Sequence, residues 1–269
     1  MVALITDFGL KDPYVGLVKA VIHRINPEVD IVDVTHYIPK FNVVLAAHVL
    51  KISRSYFPKG TVFLVVVDPG VGGPRRPIMA VSRRYAFVGP DNGVLVPSLT
   101  REQGVKVYEI DVDAVRFGNV SYTFHGRDVF APAAAYLSLG VPPNAIGREV
   151  SIEGLTKVEE LPRHPEVIGK RAIRLGVIHV DDFGNLILDS DLSRITSTLK
   201  VGYGDEVLLR SAGSTSKARI VRTFAEVCRG CLAIYEGTYR LAEVAVNQGS
   251  ASRTLKVGSG GELVIQLGR

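Results

Sequence analysis

The chain has no tryptophan, and only two cysteines and two methionines in 269 residues. So few cysteines exclude the disulfide framework that holds small secreted domains together. Cys228 and Cys231 form one Cys-Arg-Gly-Cys pair. That is half of a zinc site, and no second pair or nearby histidine completes it. A redox pair belongs at the start of a helix after a strand, which this region does not resemble. Structural thiols, or a disulfide in a heat-loving host, are the readings left. No apolar run reaches the length of a membrane span, and no charged-then-apolar leader opens the chain. A cytoplasmic protein with no membrane partner is expected. Lys and Arg outnumber Asp and Glu, 32 against 27, but they are spread along the chain. No basic block stands beside interleaved aromatics, so no nucleic-acid partner is expected. Gly-X-Gly-X-X-Gly does not follow the first strand, which disfavours common dinucleotide binding. Asp-Phe-Gly occurs twice, yet no His-Arg-Asp loop accompanies it, and a kinase is excluded. His23, His48, His164 and His179 stand apart, without metal-ligand spacing.

What is present is a soluble composition, 46% hydrophobic and 22% charged. The first part alternates strand and helix. Apolar blocks at Val2–Thr6, Val29–Val34 and Val62–Val67 read as strands, with helical spacing at Val15–Ile25 and Val43–Tyr56 between them. This is the pattern of a parallel sheet with helical crossovers. Asp12 and Pro13 suit the start of the first helix. Ile78–Val81 and Tyr85–Val88 read as a hairpin. Asp128 reads as the N-cap of a helix from Val129 to Leu139. Leu155–His164 is polar and mixed in charge, with Pro162 inside it and Pro165 just beyond, as a linker is. Beyond it the helical period disappears and short strands follow one another, among them Arg219–Val221 and Glu243–Val246. The fold class is therefore α/β. A mostly parallel α/β domain, residues 1–160, precedes a smaller all-β, barrel-like domain, residues 170–269.

The stretch Val62–Arg76 draws the most attention. Its strand delivers Asp68 to the carboxyl end of the sheet, where open α/β sheets bind ligands. Pro69, Gly70, Gly72, Gly73 and Pro74 force a loop, and Arg75 and Arg76 return positive charge beside the carboxylate. An Asp-Pro-Gly turn is also an ordinary way to leave a strand, so this window alone does not decide between turn and site. Asp7, Asp12 and Asp181 stand at other element ends, with Phe41, His125 and Asn185 beside comparable turns. Gathered carboxylates suit a cationic ligand or a metal. Taken by itself, Asp12 reads first as a helix cap.

Ile5-Thr6-Asp7-Phe8-Gly9, Val67–Gly72, Gly89–Gly93, Phe124–Asp128, Asp181–Asn185 and Ala245–Ala251, in this order, resemble the S-adenosylmethionine hydroxide adenosyltransferase family, relatives of the fluorinase and chlorinase. The likeness spans nearly the whole chain. It implies a larger α/β domain, a smaller β domain, and homotrimers that hold the substrate between domains of neighbouring subunits. It implies hydrolysis of S-adenosylmethionine to adenosine and methionine, with neither metal nor cofactor.

By the same resemblance, Asp68, Arg75 and His125 are the catalytic set. Asp68 would orient water, Arg75 would favour its hydroxide form, and His125 would complete the hydrogen-bond chain. Arg76 is the second choice for the arginine. Asp7 resembles the ribose-binding residue, since two acceptor oxygens suit a vicinal diol. Asp12 and Asp181 resemble contacts to the methionine end, and Phe41 an aromatic near the ribose. Phe124, Phe183 and Asn185 resemble the adenine pocket, completed by backbone from Gln248 to Ala251. Gly237–Arg240 departs from the family's small-residue pattern and stays outside this set. A carboxylate at position 68 would repel a halide, and Gly126 lacks the hydroxyl of a halide-binding serine. A halogenase is thus the alternative enzyme. A non-catalytic binder of the same nucleoside, or a metal-dependent hydrolase built on Asp7, Asp12 and Asp68, are the readings from other classes.

Overall fold

In the computed structural model, Val2–Thr6 (β1) is buried along its whole length. The chain continues through α1 (Tyr14–Ile25), β2 (Ile31–Thr35), α2 (Val43–Ser53) and β3 (Val62–Val66). β1 lies between β2 and β3 and pairs in parallel with both. Strands apolar on both faces need cover on both, and the crossover helices are the elements that can give it. α1 buries Val15, Val18 and Ile22, one stripe at helical spacing. α2 starts where the Asn42 side chain accepts the Leu45 N–H at 2.9 Å. The structure describes residues 1–116, 118–169, 171–211 and 214–268. Lys170 and Arg269, the limits of the second domain in the sequence reading, lie outside the described residues.

The sheet then changes direction. β4 (Pro77–Val81), β5 (Ala86–Pro90), β6 (Lys106–Ile110) and β7 (Gly147–Val150) complete seven strands in the order β2-β1-β3-β5-β4-β6-β7. β5 is parallel to β3, while β4, β6 and β7 are joined by antiparallel ladders. Short helices α3 (Val96–Leu99) and α4 (Val112–Val115) fill connections, and α5 (Ala131–Ser138) continues a single π-type turn over Gly126–Phe130. Two expected caps are not caps. The cap position of α1 is Pro13, and Asp12 is exposed one residue earlier. Asp128 is buried inside the π turn, where it accepts the Ser121 N–H at 2.8 Å and pairs with Arg127.

Met1–Glu160 and Leu161–Arg269 are two units. The second contains β8 (Glu166–Val167), β9 (Ala172–Val180), β10 (Leu186–Leu188), α6 (Leu192–Leu199), β11 (Glu206–Ser211), β12 (Ser214–Ile220), β13 (Leu232–Glu236), β14 (Ala242–Val246), α7 (Ala251–Leu255) and β15 (Glu262–Leu267). The ladder runs β10-β14-β13-β12-β11-β15-β9 and closes through β9–β10, making a seven-stranded barrel with β8 added outside β9. Closure leaves the ring itself without edges. Two short helices break the all-β pattern. α6 buries Leu192, Ile195 and Leu199, and the Asp191 side chain caps it through the Arg194 N–H at 2.8 Å. β12 starts at Ser214, before the expected Arg219, because its first residues alternate exposed polar side chains with half-buried ones. Cys228 and Cys231 are joined as a disulfide.

Candidate active site

In the first unit, β3 ends two residues before Asp68, and the loop that follows folds back to place Arg75 on it. Arg75 Nε lies 3.1 and 3.0 Å from the two Asp68 oxygens, and Nη2 lies 2.5 Å from Oδ2. This is a fork on one carboxylate, a geometry that lysine cannot copy. The same Nη2 lies 2.9 Å from His125 Nδ1. A guanidinium has no acceptor, so Nδ1 carries the lone pair and the ring hydrogen sits on Nε2. Arg75 also lies over the Phe130 ring, 5.2 Å from its centre. The Asp68 and Arg75 side chains are only 5% and 9% exposed. Burial first, and then the Arg75 charge, hold His125 below its ordinary pKa of 6.5.

The loop is built for this return. Gly72 has φ +76°, and a Cβ there would stand 2.5 Å from the Tyr122 carbonyl oxygen. The loop therefore rests on the segment leading to His125, and only glycine allows it. Arg76 turns away from Asp68 to Asp91, with Nη2 2.6 Å from Oδ2. Asn92 donates to the Val67 carbonyl at 2.8 Å and steadies the end of the strand.

Asp7 lies at the end of β1, 7% exposed. Its Oδ2 accepts the Phe41 N–H at 3.0 Å, and its carbonyl accepts from Lys40. Phe41 takes φ +65°, an uncommon backbone for a bulky residue, and its ring is exposed. That conformation places its N–H on Asp7. Phe124 meets Phe8 and Tyr14 edge to face, with ring centres 5.9 and 5.3 Å away.

In the second unit, Asp181, Phe183, Asn185 and Gln248 line one cavity of about 640 Å³. Asp181 Oδ1 accepts the N–H groups of Phe183 and Asn185 at 3.0 and 2.8 Å, and Oδ2 accepts Asn185 Nδ2 at 2.9 Å. The Asn185 amide is thereby oriented, leaving its Oδ1 as an acceptor. The Phe183 ring is 80% exposed, a flat apolar face without a cover in this unit. Gly184 has φ +83°, and any Cβ would meet Ser250 Oγ at 2.1 Å, so this loop is seated on the start of α7. Ala251 is fully buried there and is not part of the cavity wall.

The cavity adds residues that the motif reading left aside. Glu243, within the otherwise apolar β14, is 6% exposed and lines the wall with Tyr235 and Tyr239. It hydrogen-bonds Tyr235, and burial followed by the nearby Asp181 charge raises its pKa above 4.5. Burial and Glu243 likewise raise the Tyr235 phenol. One charged residue inside a buried apolar strand is a signal that the sequence does carry. Gly237, Thr238 and Tyr239, left outside the expected set, also line this cavity. Among the described residues, no three of His, Cys, Asp and Glu gather as metal ligands.

Residues 2–147 match the SAM hydroxide adenosyltransferase N-terminal domain, and residues 175–264 match its C-terminal domain. An (R)-S-adenosyl-L-methionine hydrolase of Thermus thermophilus is 38% identical, over 96% of this chain and 96% of that protein. A crystal structure of a conserved Thermotoga maritima protein is 39% identical and superposes with a TM-score of 0.85, covering 99% of this chain and 100% of the other. A fluorinase of an Actinoplanes species is 27% identical, over 84% of this chain and 83% of its own.

Proposed function

Because the chain belongs to the SAM hydroxide adenosyltransferase family, we propose that Asp68, Arg75 and His125 act on the water that attacks ribose C5′ of S-adenosylmethionine. The enzyme is a hydrolase of S-adenosylmethionine, as its near full-length relatives are named. The water oxygen bonds to C5′ as the C5′–S bond breaks. The bonding pair goes to sulfur, which leaves as the neutral thioether of methionine, and the former water passes a proton to Asp68 to give adenosine. An in-line displacement of this kind needs orientation and a usable nucleophile more than covalent help.

The observation that carries this reading is the fork of Arg75 on Asp68 with His125 on its other side. Asp68 keeps lone pairs to accept a hydrogen bond from water. A positive charge about 4 Å from an oxyanion is worth about 4 kcal/mol at an effective dielectric near 20. Arg75 therefore lowers the cost of hydroxide at this point. His125 holds the guanidinium and presents its Nε2–H. Asp7 accepts the ribose hydroxyls, Phe41 lies against the sugar, and Phe124, Phe183 and Asn185 take the adenine, with backbone around Gln248 and Ala251. Asp181 braces Asn185 and shares the cationic end with Glu243, while Asp12 is the outer contact to methionine. The reaction is metal-free, cytoplasmic and carried out by a homotrimer.

Gly126 bears on the halogenase alternative. A Cβ there would stand 3.1 Å from the Phe8 ring and 3.3 Å from the Phe124 ring, which leaves a halide-binding serine crowded. The test is product analysis with chelator present, with and without halide. Equal adenosine and methionine, indifferent to both additions, is the expected result. A halogenated nucleoside would replace the reading with the alternative enzyme, activity lost in chelator would bring back a metal, and tight binding without product would leave only a binder.

A further inference from the structure

Behind the Asp7 turn lies a polar chain that the reaction does not use. Thr6 and His36 are 2% and 3% exposed. Thr6 Oγ1 lies 2.8 Å from His36 Nδ1 and accepts the Phe8 N–H at 3.2 Å. His36 Nε2 lies 3.0 Å from Asp33 Oδ1, and Lys19 donates to Asp33 Oδ2 at 2.6 Å. These contacts set the hydrogens. Since Thr6 Oγ1 already takes a hydrogen from Phe8, its own hydroxyl hydrogen goes to His36 Nδ1. The ring then carries its hydrogen on Nε2, which lies close to the Asp33 carboxylate without the angle of a hydrogen bond. The other tautomer would put two donors on Thr6, leave its own hydroxyl hydrogen without this acceptor and bring a lone pair within 3.0 Å of an anion.

The chain ties down both neighbours of Asp7. The Gly9 N–H donates to the His36 carbonyl at 2.7 Å, and the Ile38 N–H to the Thr6 carbonyl at 3.3 Å. Asp7 is thus held between Thr6 and Phe8 by the segment leaving β2. That segment also supplies the Phe41 N–H on Asp7 Oδ2. We infer that His36 is a positioning residue: through the Thr6 hydroxyl it holds the Asp7 carboxylate where a vicinal diol can reach both oxygens. This rests on the reading of Asp7 as the ribose acceptor.

The histidine offers a chemical split. His36→Asn can place an amide oxygen near the position of Nδ1 and keep an acceptor for Thr6. His36→Gln reaches toward Asp33 and leaves the hydrogen of the buried Thr6 hydroxyl without its acceptor. Adenosine affinity by calorimetry, with KM and kcat for S-adenosylmethionine, is the measurement. His36→Asn is expected within about threefold of the parent, whereas His36→Gln and Thr6→Val lose about tenfold in affinity with kcat nearly kept. The loss should vanish in an Asp7→Ala background and with 2′,3′-dideoxyadenosine. Equal losses for Asn and Gln, or a loss that persists with Asp7 removed, would reduce His36 to packing and overturn the inference. An Asp7→Ala variant that binds adenosine unchanged would instead remove the ribose reading beneath it. Thermal unfolding checks each fold. Should His36→Gln not fold, Thr6→Val against Thr6→Ser decides, since only valine removes the hydroxyl.

Discussion

At the scale of single residues, His125 makes the sharpest claim. Its pKa is lowered by burial first and by Arg75 second. Above pH 6.5 the ring is neutral in both the folded and unfolded chain, so it adds no pH dependence to stability there. As pH falls below 6.5 the unfolded chain takes up the proton first, and the folded state loses stability until its own lowered pKa is passed. Protonation also puts a hydrogen on Nδ1, against the Arg75 donor. The acid limb of kcat should therefore fall below pH 6.5, and His125→Gln should remove that limb while slowing the reaction. A limb at or above 6.5 that survives in His125→Gln would assign it to another group. Asp68→Ala makes a complementary case. On the proposed reading its carboxylate acts on water and Arg75 rather than on the nucleoside, so kcat should fall by about 100-fold or more while adenosine affinity, measured by calorimetry, stays nearly unchanged. Parental turnover in that variant would end its catalytic assignment.

At the scale of elements, loops at strand ends carry the residues proposed for the chemistry, and their backbone is demanding. Gly72→Ala would force a Cβ into the Tyr122 carbonyl at a positive φ. A loss of at least about 1–2 kcal/mol is expected from the backbone conformation alone, and turnover should fall further because Arg75 rides on this loop. Chemical denaturation and kinetics of the same variant check both. In the barrel, Glu243 ionises only above a raised pKa. A cationic ligand favours the ionised form, so S-adenosylmethionine should bind more tightly as pH rises from 4.5 through that value. Adenosine, which is neutral there, should show little of this dependence, and Glu243→Gln should flatten it. Asn185→Ala should weaken adenosine by about tenfold, and calorimetry showing no change would remove it from the pocket. Much of this was legible in the chain. Continuous apolar blocks marked β1 and β3, and glycine turns marked the loops after them. α6 was hidden because Leu192, Ile195 and Leu199 are spaced among Ser and Thr, which also suit strands and turns. The pairing of Thr6 with His36 was not legible, because it depends on β1 lying beside β2 across thirty residues of sequence. Glu243 was legible as a charge in a buried strand, but no motif directed attention to it.

At the scale of the whole molecule, the α/β unit holds the set proposed to act on water, and the barrel unit holds a cavity with an aromatic face, an oriented amide and buried acids. On the proposed reading the reaction draws on both. A sheet can place a charged fork at its carboxyl edge, and a closed barrel can offer a preformed wall, so the division follows from what each architecture does well. The proposed trimer, with each substrate held between neighbouring subunits, has a consequence that mass alone does not test. Asp68→Ala damages only the first unit, and Asn185→Ala only the second. If the two halves of a site come from different subunits, mixed trimers made by refolding the two variants together regain intact sites. Random mixing would restore about a quarter of the parental sites, because each needs an undamaged half from each variant. The rate is read at substrate well below KM, where both defects are visible. If each site is formed within one chain, every site keeps one defect and mixing restores nothing. Restored activity with a particle three chains in mass would establish the shared site, and a single-chain mass would remove it.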